Sequence, residues 1–245
     1  MEDKALLSTE EASGAEKAEL LIVIPAYNEA ENIERVVNHL TANFPQYDYV
    51  VVNDGSRDET AAICQKNGYN LLNLPVNLGL AGAFQAGLKY ADKYGYQYAV
   101  QLDGDGQHRP EYLESMIKKM EEGYDIVIGS RFVGEKKPFT MRMLGSNLIE
   151  MAILFTTGVN IKDPTSGMRM FSKRMIREFA SGLNYGPEPD TVSYLIRQGA
   201  RVAEVPVIMD ERILGVSYLT PVNAMRYMLK MLISILLIQN FRKRR

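Results

Sequence analysis

Leu20-Leu21-Ile22-Val23-Ile24-Pro25 decides the fold class, because a short continuous apolar run of this kind is a strand covered on both faces. Ala30 to Asn43 follows with Ile33, Val36, Val37 and Leu40 at helical spacing. The alternation then repeats. Tyr49 to Val52 precedes a helix near Thr60 to Asn67, Asn70 to Leu74 precedes Leu80 to Tyr94, Tyr98 to Leu102 precedes Pro110 to Glu122, and Ile126 to Ile128 comes next. Strands alternating with helices predict an α/β fold, with a Rossmann-like, mostly parallel sheet flanked by helices and right-handed crossovers.

After Arg131 the alternation stops. Met141 to Val159, apolar but interrupted by Arg142, Asn147 and Glu150, reads as a partly buried or interfacial helix. A further strand and helix pair, around Met168 to Ala180 and Thr191 to Gln198, and a strand over Val202 to Ile208 lead to a closing helix from Pro221 to about Gln239. No internal repeat or low-complexity linker divides this span. Residues 20–220 therefore read as one domain, preceded by a flexible acidic tail over 1–19 and followed by an amphipathic, basic segment over 221–245.

The composition is that of an ordinary globular protein, with 46% hydrophobic and 24% charged residues. A formal net charge of -2 argues against general nucleic-acid binding. Cys64, the single cysteine, falls on the apolar side of its helix and can make no intrachain disulfide, which suits a reducing compartment. The acidic start lacks the basic and then apolar pattern of a secretory signal, so the expected location is the cytoplasmic side. Met225 to Ile238 is strongly apolar but carries Arg226 and Lys230, too short and too charged for a span of about 20 apolar residues. An interfacial helix with Arg242 to Arg245 on anionic headgroups is the expectation, against a core-packed or oligomer-forming helix.

Ligands of open α/β sheets bind beyond the carboxyl ends of the strands. Here those ends are polar: Pro25-Ala26-Tyr27-Asn28-Glu29, Asn53-Asp54-Gly55-Ser56 and Asp103-Gly104-Asp105-Gly106-Gln107. Two carboxylates separated by one glycine offer hard oxygen donors to Mg²⁺ or Mn²⁺ bridging a diphosphate, although an Asp-Gly-Asp turn alone is as readily a plain turn. The acids at 103, 105 and 114 also imitate part of a calcium-loop spacing. That reading fails, because the required glycine position is His108 and Pro110 starts a helix inside the loop. Asp54 precedes its turn, where it could accept from a base or ribose, whereas Ser56 or Asp58 reads as a helix cap. Glu29 suits either a site or the first turn of a helix, and Tyr27 either stacks on a base or packs.

Taken in order, Ile24-Pro25-Ala26-Tyr27-Asn28-Glu29, Val52 to Asp58 and Asp103 to His108 resemble the family 2 inverting glycosyltransferases of the GT-A fold. Gly129-Ser130-Arg131-Phe132, Asp163-Pro164-Thr165-Ser166-Gly167-Met168-Arg169 and Glu204-Val205-Pro206-Val207 resemble their dolichyl or polyprenyl phosphate mannosyl- and glucosyltransferase branch. The resemblance runs from about Leu20 to Ser217. It implies a nucleotide-diphosphosugar (UDP- or GDP-sugar) donor held by Pro25, Tyr27, Glu29, Asp54 and Asp103. It implies Mg²⁺ or Mn²⁺ at Asp105 with Asp103 and Gln107, and a polyprenyl phosphate acceptor at Arg131, Ser166, Arg169, Arg212 and Ser217. Asp163 would orient or deprotonate the acceptor, with Asp105 the other catalytic carboxylate. Asn53, where the family often has an acid, and the proline-rich Tyr185 to Asp190 depart from the pattern.

The implied reaction is inverting transfer to a lipid phosphate at the cytoplasmic face of a membrane, with a separate membrane protein handling the product. Its rivals are a glycan or protein hydroxyl acceptor, with Asp163 or Asp190 as base, and a non-catalytic nucleotide-sugar-binding membrane scaffold. A nicotinamide-dependent oxidoreductase would need G-x-G-x-x-G after the first strand, where this chain has Pro-Ala-Tyr-Asn-Glu.

Overall fold

The computed structural model describes residues 19–135, 137–138, 140–182, 186–210 and 221–241. The opening apolar run forms β1 (Leu20–Ala26), and its alternate side chains fill two different cores. Leu21 and Val23 face one layer; Leu20, Ile22 and Ile24 face the other. β1 is an interior strand of an α/β sheet whose other strands are β2 (Asp48–Asn53), β3 (Leu71–Asn73), β4 (Tyr98–Gln101), β5 (Ile126–Ser130), β6 (Arg169–Ser172) and β7 (Val202–Pro206). Their order is β3-β2-β1-β4-β6-β5-β7.

The helices are α1 (Ile33–Asn43), α2 (Thr60–Lys66), α3 (Gly79–Tyr94), α4 (Leu113–Glu121), α5 (Met141–Thr157), α6 (Lys173–Ser181), α7 (Pro189–Arg197) and α8 (Pro221–Leu236). The helix expected from Pro110 instead begins with one 3-10 turn over Pro110–Tyr112 before α4. Cys64 is buried in the layer of α1 and α4, and burial pushes its thiol up to about 11.

β6 breaks the parallel pattern. It runs antiparallel to both β4 and β5, with Val100 opposite Met170 and Ile128 opposite Arg169. The reversal has a positional consequence: the segment entering β6, residues 163–168, lies at the same sheet edge as the segments leaving β1, β2, β4 and β5. β4 ends at Gln101 opposite Val23, so the turn after it arrives beside the last residues of β1.

Residues 221–236 are more than an appendage. Met231 and Ile235 of α8 are buried in the same apolar layer as Phe84 of α3, Ile153 of α5 and Val192 of α7. The opposite side of α8 leaves Met225, Leu229, Ile233 and Leu236 exposed. α5, packed against α8, likewise buries Ile149 and Ile153 and exposes Leu148, Met151 and Phe155. The helix is thus both core-packed and outwardly apolar. Among the described residues no helix is long and apolar enough to cross a membrane.

Phe171 pins β6 by ring contacts at 5.6 Å to Phe84 and 5.2 Å to Phe179. Phe171→Ala is expected to cost about 3–5 kcal/mol, lowering Tm by roughly 10 °C in calorimetry. A fall of under about 3 °C would mean that β6 is held by its backbone pairing alone.

Candidate active site

The segments after β1 and β2 are stitched to each other. Asn28, in the left-handed region at φ 56, donates its amide to Ser56 Oγ (3.0 Å), and its side-chain Oδ1 accepts from the Arg57 amide (2.9 Å). The amides of Glu29 and Ala30 donate to Thr60 Oγ1 (2.9 Å) and Asp58 Oδ2 (3.1 Å). Asp58 is therefore structural: burial pulls its pKa up, but hydrogen bonds from Thr60 and Ala30 outweigh that and hold it low. Asn53 uses its amide as no acid could, donating to Asn73 Oδ1 (2.6 Å) while accepting from the Ser56 amide (3.3 Å). Asp54 is buried, and its Oδ1 accepts from the Leu78 amide (2.7 Å) where α3 begins.

The Asp103-Gly104-Asp105 turn meets this pair of loops. A Cβ placed on Gly104 would lie 3.2 Å from Pro25 O and 3.4 Å from Glu29 Cγ, so the turn and the first loop share one surface. Tyr27 is half-buried beside them. Asp103 Oδ1 accepts from Gln101 Nε2 (2.8 Å), and the Asp103 amide donates to His108 Nδ1 (3.0 Å). Asp105 is buried; its Oδ1 accepts from the Gln107 amide (3.0 Å) and its backbone oxygen from Arg35 Nη2 (3.0 Å). Gln107 donates through Nε2 to Asp210 O (3.1 Å), which leaves its Oε1 as the donor atom for a cation. Asp210 is anchored by Arg109, whose guanidinium lowers the Asp210 pKa.

Among the described residues no three His, Cys, Asp or Glu side chains cluster to hold a metal. Two carboxylates and an amide oxygen nonetheless fit a divalent cation that completes its shell with phosphate and water, the habit of Mg²⁺ in phosphate sites.

The segment entering β6 presses against this turn. A Cβ on Gly167 would come within 3.1 Å of His108 Cε1 and 3.2 Å of Asp103 Oδ2, so any larger residue would have to push these side chains aside. At the head of the same segment Asp163, fully buried, takes both arms of a fork from Arg131: Nε to Oδ2 (2.7 Å) and Nη2 to Oδ1 (2.8 Å). The Arg131 amide also donates to Oδ2 (3.1 Å). Glu204 of β7 fixes the segment from below by accepting from the amides of Lys162 (2.7 Å) and Asp163 (2.8 Å).

Ser166 and Arg169 are buried and bond to backbone oxygens of the protein. The Ser166 hydroxyl is buried and donates to Gly129 O (2.5 Å), joining the segment to β5. Arg169 is buried, donates to Pro164 O (2.6 Å), and has an Nε without a hydrogen-bond partner among the described residues. Burial lowers its pKa against the opposing pull of Tyr227, Glu188, Asp163 and Asp190. Glu188 and Asp190 turn toward α8 and the 3-10 turn after it, Ile238–Phe241. Tyr227 donates to Glu188, while Ser234 Oγ (2.6 Å) and Gln239 Nε2 (3.2 Å) donate to Asp190 Oδ2. Arg212, Ser217 and the basic residues 242–245 lie outside the described residues.

Residues 21–180, well over half of the chain, match the family described as "Glycosyl transferase family 2". This chain belongs to glycosyl transferase family 2.

Within the family it is 31% identical, over 86% of this chain and 84% of the relative, to the polyprenol monophosphomannose synthase of Mycolicibacterium smegmatis. It is also 31% identical, over 81% and 86%, to the undecaprenyl-phosphate mannosyltransferase of Micrococcus luteus. Glucosyl-3-phosphoglycerate synthase from Mycobacterium tuberculosis, solved with Mn²⁺, uridine diphosphate and phosphoglyceric acid, superposes with a TM-score of 0.66 at 19% identity, over 93% of this chain and 80% of that one. The sheet is thus the GT-A fold that the motifs implied.

Sequence reasoning passed over Gln101 and Arg35, and it met His108 and Glu204 only as members of motifs, without a role. A glutamine inside a buried strand and a glutamate in the last strand were the available signals, since such residues are retained in cores only when paired. Asp163→Asn, which keeps shape but removes the charge facing Arg131, is expected to cost about 2–3 kcal/mol in urea unfolding. Thr165→Ala, at the rim of the same carboxylate, should change stability by less than about 0.5 kcal/mol.

Proposed function

We propose that this family 2 enzyme transfers a sugar, with inversion, from a UDP- or GDP-sugar to the phosphate of a polyprenyl phosphate, giving a β-linked lipid-phospho-sugar. The Arg131–Asp163 fork, on a segment that touches the Asp103 turn, carries the reading. Arginine has five N–H donors; two are spent on Asp163, and three remain for the oxygens of an acceptor phosphate beside the donor site. The names of the two mannosyl-transferring relatives support the same acceptor class.

The chain's own groups then divide the work. Pro25, Tyr27, Glu29 and Asp54 line the loops where base and ribose would bind, with Asp54 offering its second oxygen, and Asp103 closes that side. Asp103, Asp105 and Gln107 would hold Mg²⁺ or Mn²⁺, which supplies positive charge to the departing nucleoside diphosphate. An acceptor phosphate is already anionic, so no side chain needs to take its proton. Asp163, with both oxygens committed to Arg131, serves by fixing that arginine. Asp190, the other candidate base, is likewise occupied, by the Thr191 amide, Ser234 and Gln239.

A lipid acceptor needs an enzyme at the membrane surface. The exposed Leu148, Met151 and Phe155 of α5, with Met225, Leu229 and Ile233 of α8 and the exposed Arg226 and Lys230, supply an apolar face with positive charge at the cytoplasmic leaflet.

Purified protein with Mn²⁺, polyprenyl phosphate and a panel of UDP- and GDP-sugars should give an organic-extractable, labelled lipid-phospho-sugar with one donor. Transfer only to a sugar hydroxyl would refute the acceptor assignment. Asp105→Ala is expected to lower kcat by at least about 100-fold. Phe155→Glu should weaken partitioning onto anionic vesicles by about tenfold, from the loss of roughly 1.5–3 kcal/mol of apolar burial. Undiminished co-sedimentation would remove α5 from the membrane face.

A further inference from the structure

Asp103 is held from two sides, by Gln101 on its carboxylate and by His108 on its amide. Gln101 Nε2 donates to Oδ1 at 2.8 Å, and His108 Nε2 stands 3.7 Å from Oδ2. The Asp103 amide donates to His108 Nδ1, so that nitrogen presents its lone pair and the hydrogen of a neutral ring sits on Nε2, facing the carboxylate. Both partners are enclosed, Gln101 at 1% and His108 at 7% exposure, so neither can swing to another position in water.

Gln101 is an expensive residue for its place. It ends a strand whose preceding Ala99 and Val100 and following Leu102 are buried and apolar, and its Oε1 is buried without a hydrogen-bond partner among the described residues. An unsatisfied buried acceptor carries a desolvation cost that an apolar side chain of similar size would avoid. Turning the amide over would set oxygen against oxygen at Asp103, so the orientation follows from the chemistry. What the arrangement secures is the hydrogen bond that fixes the rotamer of Asp103.

We propose that Gln101 and His108 are positioning residues that lock the Asp103 carboxylate in its donor-binding orientation, and that Gln101 is kept for this at the expense of stability. The proposal rests on the donor reading above. Pre-orienting a ligand group removes the entropy its side chain would lose on binding, so the effect falls on affinity for nucleoside diphosphate and metal.

Three variants test it: Gln101→Leu, His108→Phe, which keeps a ring but no nitrogen, and His108→Asn, whose Oδ1 stands in for Nδ1. Unfolding of ligand-free protein and calorimetric titration with UDP and GDP in Mn²⁺ are measured together. Gln101→Leu should keep or raise Tm while weakening nucleotide binding about tenfold. His108→Phe should weaken binding by a similar factor, and His108→Asn should stay within about threefold of wild type. Binding by Gln101→Leu within about twofold of wild type overturns the clamp, as does a parallel loss of Tm and affinity, which marks a merely structural residue. Equal weakening in His108→Asn and His108→Phe overturns the part assigned to Nδ1. Failure of the wild type to bind either nucleotide overturns the donor reading and the clamp together, whereas a wild type that binds while Gln101→Leu binds equally well overturns the clamp alone.

Discussion

A strand buried on both faces has nowhere to place a carboxylate except at its ends, and this constraint organises the molecule. β1 is apolar on both sides because helices cover both sides. Its polar continuation, and those of β2 and β4, are therefore driven to a single edge, where Glu29, Asp54 and Asp103 collect. Charges converge there because the interior excludes them, and the loops then hold one another through backbone amides donated to side-chain oxygens. A site built this way is rigid before any ligand arrives.

The convergence of the segments after β1, β2 and β4 was legible in the chain because it comes from local pattern. Apolar runs, helical spacing and the polar residues after each strand lie close together in sequence, and β1, β2 and β4 obey the parallel rule. The segment entering β6, proposed for the acceptor, was singled out only through resemblance to a family. Its placement depends on β6 running backwards, and a four-residue strand, Arg169–Ser172, carries no sign of its direction. That reversal moves Asp163 and Gly167 from the far end of the sheet to the site.

Individual side chains were harder still, for a physical reason. Ser166 and Arg169 lie in the right segment, yet their polar atoms turn inward, and Asp163 meets Arg131 rather than open solvent. Nothing in a linear motif states which way a side chain points once its segment is pinned by residues as distant as Glu204. Asp54 shows the same limit in milder form, buried and with one oxygen given to the start of α3. The amphipathic carboxyl-terminal helix proved to be two things at once, since its inward stripe belongs to the core and its outward stripe does not.

The reversed strand also bears on how the chain reaches this state. β3, β2, β1 and β4 are joined by short crossovers and can assemble as each is made, but β5 has no partner among them. It must wait for β6, which sits between it and β4, and only then can β7 be added at the edge. Contacts between segments far apart in sequence are the slow ones to form, because the intervening loop must be closed first. The half of the sheet that carries Arg131 is thus the half that depends on long-range closure, and the segments at the sheet edge all come into register only in the completed sheet.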